Sequence, residues 1–116
     1  MTRRLIDGCD AILADLDGVV YAGPGAISEA PESLERAKSE GVPVMFVTNN
    51  ASRAVETVAE HLSELGVATR GEDVVSSAQA AAQLLSDRLP AGSRVLITGA
   101  QALSDYIAEA GLTLSL

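Results

Sequence analysis

The chain has 116 residues, with eight Lys or Arg against 16 Asp or Glu and a formal net charge of −8, a balance that argues against binding a nucleic-acid backbone or an anionic membrane surface. Hydrophobic residues make up 47% and aromatic residues only 3%, so the expected core is aliphatic and alanine-rich, as suits helices laid on a parallel sheet. The single cysteine, Cys9, excludes an internal disulfide and fits a reducing cytoplasm, and no run reaches the ~18 apolar residues of a membrane span.

Residues 11–15 read as a first strand, apolar on both sides as in a parallel sheet covered on both faces. Residues 18–29 are glycine-rich and irregular. A helix then begins near Pro31, with Glu29, Glu32 and Glu35 toward its positive end and Ala30, Leu34 and Ala37 as its apolar stripe; Gly41 is placed to stop it. Val44–Val47 is a second strand, ending at Thr48-Asn49-Asn50. Ser52 is the expected cap of the next helix, whose Val55, Val58, Ala59, Leu62 and Leu65 recur at helical spacing before Gly66. Glu56, Glu60 and Glu64 form its solvated face. Val74 and Val75 give a short third strand, and Ser76 or Ser77 caps an alanine-rich helix over about 78–88. After a break at Pro90-Ala91-Gly92 come a strand over 94–98, a helix over 100–110 and a strand start at 112–114. This alternation with short loops predicts an open parallel sheet with right-handed crossovers.

Ligands of open α/β sheets bind beyond the carboxyl ends of the strands. Asp15 and Thr48 both stand at such ends, roughly 5 Å apart if the two strands are neighbours. Asp15-Leu16-Asp17-Gly18 places two carboxylates one residue apart after a buried strand. An anionic nucleophile attacking an anionic phosphate needs a cation to offset the repulsion. Mg²⁺, which takes oxygen ligands, fits that need. Asp15 can supply one oxygen and the Asp17 backbone carbonyl another. The Asp17 side chain then remains free to protonate a leaving alkoxide and afterwards deprotonate a water. Thr48 offers a hydroxyl, and the amides around Asn49 and Asn50 can cradle phosphate oxygens.

Asp15-Leu16-Asp17-Gly18-Val19-Val20-Tyr21 together with Thr48-Asn49-Asn50-Ala51-Ser52-Arg53 resembles motifs I and II of the haloacid dehalogenase superfamily. Gly25-Ala26-Ile27, Val75-Ser76-Ser77-Ala78 and Leu96-Ile97-Thr98-Gly99 resemble its subclass IIA phosphatases, and the bacterial glycerol-3-phosphate or phosphoglycolate types most. The resemblance implies a Rossmann-like open parallel α/β sheet with helices on both faces over residues 1–92. It implies the start of an α/β cap of the C2 type over 93–116. It implies Asp15 as nucleophile and Mg²⁺ ligand, Asp17 as acid/base and backbone Mg²⁺ ligand, Thr48 and Asn49 as phosphate binders, and Asn50 near a small phosphorylated metabolite. The reaction implied is phosphomonoester hydrolysis through an aspartyl-phosphate.

The motif III lysine and motif IV acids of such phosphatases have no counterpart here. Lys38 is the only lysine, and it precedes the second strand; Asp73, Asp87 and Asp105 form no strand-end pair. The expectation is therefore an N-terminal portion of a longer polypeptide, inactive by itself. Its open sheet edge invites pairing with a second copy or with the remainder of that polypeptide. A receiver-like phosphoacceptor and a non-catalytic interaction module are the competing functions. A receiver, however, carries its phosphoacceptor on a later strand and a late lysine. Among single residues, Arg53 reads as a surface or helix-start residue, with a substrate or subunit contact as the alternative, His61 as surface, Cys9 as half-buried packing and Tyr21 as local packing or lining of the site.

Overall fold

The structure, a computed structural model, describes residues 4–115, with every side chain among them except that of Leu5. In chain order the elements are β1 (Ile12–Asp15), β2 (Tyr21–Ala22), β3 (Gly25–Ala26), α1 (Ala30–Ser39), β4 (Val44–Thr48), α2 (Val55–Glu64), β5 (Val74–Ser76), α3 (Ser77–Arg88), β6 (Arg94–Leu96), α4 (Gln101–Glu109) and β7 (Thr113–Ser115). Short 3₁₀ turns precede β1 and β5.

Among the described residues, β1, β4 and β5 form a parallel sheet in the order β1-β4-β5. The register pairs Ala14 with Phe46 and Asp15 with Val47, and on the next strand Phe46 with Val74 and Thr48 with Ser76. Side chains alternate between faces along a strand. Ala14, Val44, Phe46, Thr48, Val74 and Ser76 therefore share one face, and all are buried. Their apolar members form one cluster with Ala37 of α1 and Val55, Val58, Ala59 and Leu62 of α2.

The other face carries Leu13, Met45, Val47 and Val75. Leu13 is 69% exposed and Val75 45%. Cover on both faces, expected from the apolar strands, is thus realised on one face by the described residues. The reason is topological: the strands advance in one direction, and two right-handed crossovers taken the same way lay α1 and α2 on the same side.

Both helices stop where glycine permits a left-handed turn. Gly41 (φ 85°) and Gly66 (φ 101°) follow the last turns of α1 and α2. The next amide then returns into the helix, Val42 to Ala37 and Val67 to Leu62.

A second packing unit follows. β6 and β7 pair in parallel as a separate sheet. Ala82, Ile107 and Leu112 form their own buried cluster with Leu85, Val95, Ile97 and Leu103 around it. Two clusters side by side give an elongated molecule, 59 × 29 × 19 Å.

Candidate active site

Two strand ends build the site. β1 ends in Asp15, and its neighbour β4 ends in Thr48, one residue beyond the Val47 that pairs with Asp15. Both therefore stand at the carboxyl edge of the sheet, on adjacent strands, where an α/β fold presents ligand-binding groups. The alternation of the strands puts Asp15 on the open face and Thr48 on the buried one. Accordingly Asp15 is exposed and Thr48 only 8% exposed.

The turn after β1 is set by Leu16. Its side chain is fully buried, and its carbonyl accepts the amides of Val19, Val20 and Tyr21 at 3.0, 2.9 and 3.3 Å. Gly18, at φ 78°, takes the left-handed conformation this reversal requires and donates to the Tyr21 carbonyl at 2.9 Å. These bonds pass around Asp17. Its side chain is exposed, and among the described residues no amide is bonded to its carbonyl. Asp15 Oδ1 accepts the Leu16 amide at 2.9 Å, which orients the carboxylate and leaves Oδ2 for another ligand.

The loop after β4 is tied by its own side chains. Thr48 Oγ1 accepts the Asn50 amide at 3.1 Å, and Asn50 Oδ1 accepts the Ser52 amide at 2.9 Å and the Ser52 hydroxyl. From α3, the Ser77 hydroxyl donates to the Asn49 carbonyl at 3.1 Å. Side chain-to-backbone turns of this kind gather amides on one side of a loop, a local geometry that suits anions. Asn49 is exposed at the edge and Asn50 half-buried. The structure thus brings Asp15, Asp17, Thr48, Asn49 and Asn50 to one edge of one sheet.

Ser52 does not cap α2. Asn50 holds it, and the N-cap position falls to Ala54, which has no side-chain acceptor. Ser76 does cap α3, exchanging bonds with Gln79 in a capping box.

The residues 18–29, expected to be irregular, contain the small antiparallel hairpin β2–β3. Strands of two residues are too short to show a period in sequence. Against this hairpin lies His61, read from sequence as surface. It is half-buried, its ring centroid 4.6 Å from that of Tyr21 and its Nε2 3.3 Å from the Pro24 carbonyl. A carbonyl only accepts, so Nε2 is the donor; Nδ1 is buried with no partner among the described residues. Tyr21 is buried. Burial pushes its phenol up and nearby Asp17 and Asp15 push it further, while Arg53 opposes them. Arg53 therefore sits within electrostatic reach of the Tyr21 hydroxyl. It also lines, with Gly23, Pro24, Thr57 and His61, an open groove of about 510 Å³ beside the hairpin.

Cys9, expected half-buried, is exposed. It precedes β1 and takes no part in the core cluster. Lys38 is remote from the two carboxylates: it bonds Glu35 and the Ala68 carbonyl, and it lines a groove with Gly41–Met45 at the opposite end of β4 from Thr48.

The donors at the edge are hard oxygens, the chemistry of a Mg²⁺ site. Asp15 Oδ2 and the Asp17 carbonyl are both without a backbone claim on them. The set is partial, since no group of three or more His, Cys, Asp or Glu suited to a metal occurs among the described residues.

Comparison with known proteins gives concordant results. Residues 12–113 match the family model of the haloacid dehalogenase-like hydrolases. A D-glycerol 3-phosphate phosphatase of Mycobacterium tuberculosis is 50% identical over 103 residues, 89% of this chain and 28% of that protein. An acid sugar phosphatase of Staphylococcus aureus is 36% identical over 104 residues, 90% of this chain and 40% of its own length. Among solved structures, a glycerol phosphate phosphatase from M. tuberculosis in complex with magnesium superposes with a TM-score of 0.83 at 47% identity, covering 91% of this chain and 32% of that one. A thermostable NPPase from Geobacillus stearothermophilus gives 0.81 at 28% identity, covering 91% and 41%. The chain thus spans 28–40% of the length of these curated relatives.

Proposed function

The chain belongs to the haloacid dehalogenase-like hydrolases, and from that premise we propose that it supplies the nucleophile and phosphate loop of a Mg²⁺-dependent phosphomonoesterase. The substrate class we assign is a small phosphorylated metabolite of the glycerol-3-phosphate or phosphoglycolate kind. The observation that carries this reading is the placement of two exposed carboxylates, Asp15 and Asp17, beside the Thr48 loop on the carboxyl edge of hydrogen-bonded neighbouring strands. Family membership sets aside the receiver-like alternative.

In this reading an Asp15 oxygen attacks phosphorus, and the bond from phosphorus to the ester oxygen breaks as Asp17 gives its proton to the departing alkoxide. Asp17 then takes a proton from the water that attacks the aspartyl-phosphate, which frees Asp15 and releases phosphate. Thr48 and the amides near Asn49 hold the non-bridging oxygens, and Asn50 keeps that loop in shape. Asp15 and the Asp17 carbonyl would hold Mg²⁺, whose contribution when bound is to offset the charge between carboxylate and phosphate. A lysine and further acidic ligands have to come from outside these 116 residues, from the remainder of a longer polypeptide or a second chain. Cytoplasmic localisation, suggested by the lone cysteine, is part of the same reading.

A chimera tests it: this chain replaces the matching 103 residues of the M. tuberculosis D-glycerol 3-phosphate phosphatase. The expected result is Mg²⁺-dependent phosphate release from glycerol 3-phosphate that Asp15→Asn lowers by at least about 10³-fold, with no turnover by the isolated chain. A folded chimera without activity would overturn the proposal.

A further inference from the structure

We propose that Tyr106 is a positioning residue for the loop 48–54, fastening the start of α2 to the second packing unit; the inference rests on the phosphate-binding reading of that loop. Val55 opens α2, so its amide is one of the orphan donors at a helix start. Ala54, in the N-cap position, has no side-chain oxygen, and the nearby Ser52 hydroxyl, turned to donate to Asn50, caps no amide of α2. The Val55 amide is instead donated to the Tyr106 hydroxyl at 2.7 Å, from a residue 51 positions later on α4.

The ring of Tyr106 is placed to transmit this bond. Among the described residues it is the one partly buried hydrophobic that packs against both core clusters. The loop is thereby pinned at two points from later in the chain, at Asn49 by Ser77 and at Val55 by Tyr106. A shift of α4 away from α2 releases the second pin and with it the amides that face the anion. By linkage, an anion that orders the loop favours the docked position of α4.

The test uses the ¹⁵N-labelled chimera described above, which supplies the lysine and acidic ligands and serves as the wild type, and its Y106F variant, which keeps the ring and removes the acceptor. Amide hydrogen exchange and a titration with inorganic phosphate in Mg²⁺ buffer are followed residue by residue. Wild-type Val55 is expected to be protected. In Y106F its exchange rises about fivefold or more, amides of β4 and of Leu62 change less than about twofold, and the phosphate midpoint for loop 48–54 rises about threefold to tenfold. An unprotected Val55 amide in the wild type, or one unchanged in Y106F, overturns the proposal. Faster Val55 exchange with an unmoved phosphate midpoint overturns the positioning role. A wild-type loop that ignores phosphate overturns the phosphate-binding reading, and the exchange data still decide whether Tyr106 holds Val55. Should Y106F not fold, wild-type protection of Val55 decides the bond.

Discussion

At the scale of single residues, the site depends on groups whose neighbours are already committed. Thr48 is buried and holds the Asn50 amide, so Thr48→Val removes an acceptor while keeping the shape. The expected cost is about 1 kcal/mol in denaturant unfolding, with weaker phosphate binding at the loop amides. Tyr21 gives a pH prediction. Burial first, then Asp17 and Asp15, raise its phenol against the pull of Arg53. The native state therefore keeps this proton more tightly than the unfolded chain does. That stability is fully present below the unperturbed value of about 10 and is lost as pH rises through the native one. Tyr21→Phe is expected to flatten the loss of stability as pH rises above about 10, read from denaturation midpoints. The position of Asp15, Asp17 and Thr48 at the sheet edge was legible in sequence because it is local to a strand end. His61 and Tyr106 were not: each gains its meaning from a partner 37 or 51 positions away.

At the scale of elements, helix starts decide what the loops can do. α3 has its own cap in Ser76, which bonds the Gln79 amide at 3.2 Å while Gln79 returns the bond. Ser76→Ala is expected to cost about 1 kcal/mol, measured by urea unfolding. α2 has no such local cap and takes its first acceptor from α4. Periodicity revealed both helices within a residue or two, since apolar spacing reports the buried stripe. It did not reveal the cap of α2, because a serine in the right place is only a candidate until its hydroxyl's other partner is known. The hairpin β2–β3 escaped for a related reason: four residues held by turn bonds carry no period.

At the scale of the molecule, the covered and open faces of the sheet set opposite expectations for substitutions of similar character. Phe46, at 1% exposure in the centre of the covered face, is expected to cost about 3–5 kcal/mol when changed to alanine. Leu13, on the neighbouring strand but the open face, is expected to tolerate lysine within about 0.5 kcal/mol. Equilibrium unfolding of both variants checks the contrast. An equal loss at Leu13 would mean that this face is covered in solution.

The α/β class, the alternation of the longer strands and helices and the two carboxylates at the end of β1 and just past it were determined by the sequence itself, because hydrophobic period, glycine stops and a pair of carboxylates after an apolar strand are written within a few adjacent positions. The tertiary structure decided which sheet face is covered, which hydroxyl caps which helix, and how the second unit reaches the loop after β4. Those outcomes depend on strand order, crossover direction and contacts between residues tens of positions apart, and a local pattern holds no record of them.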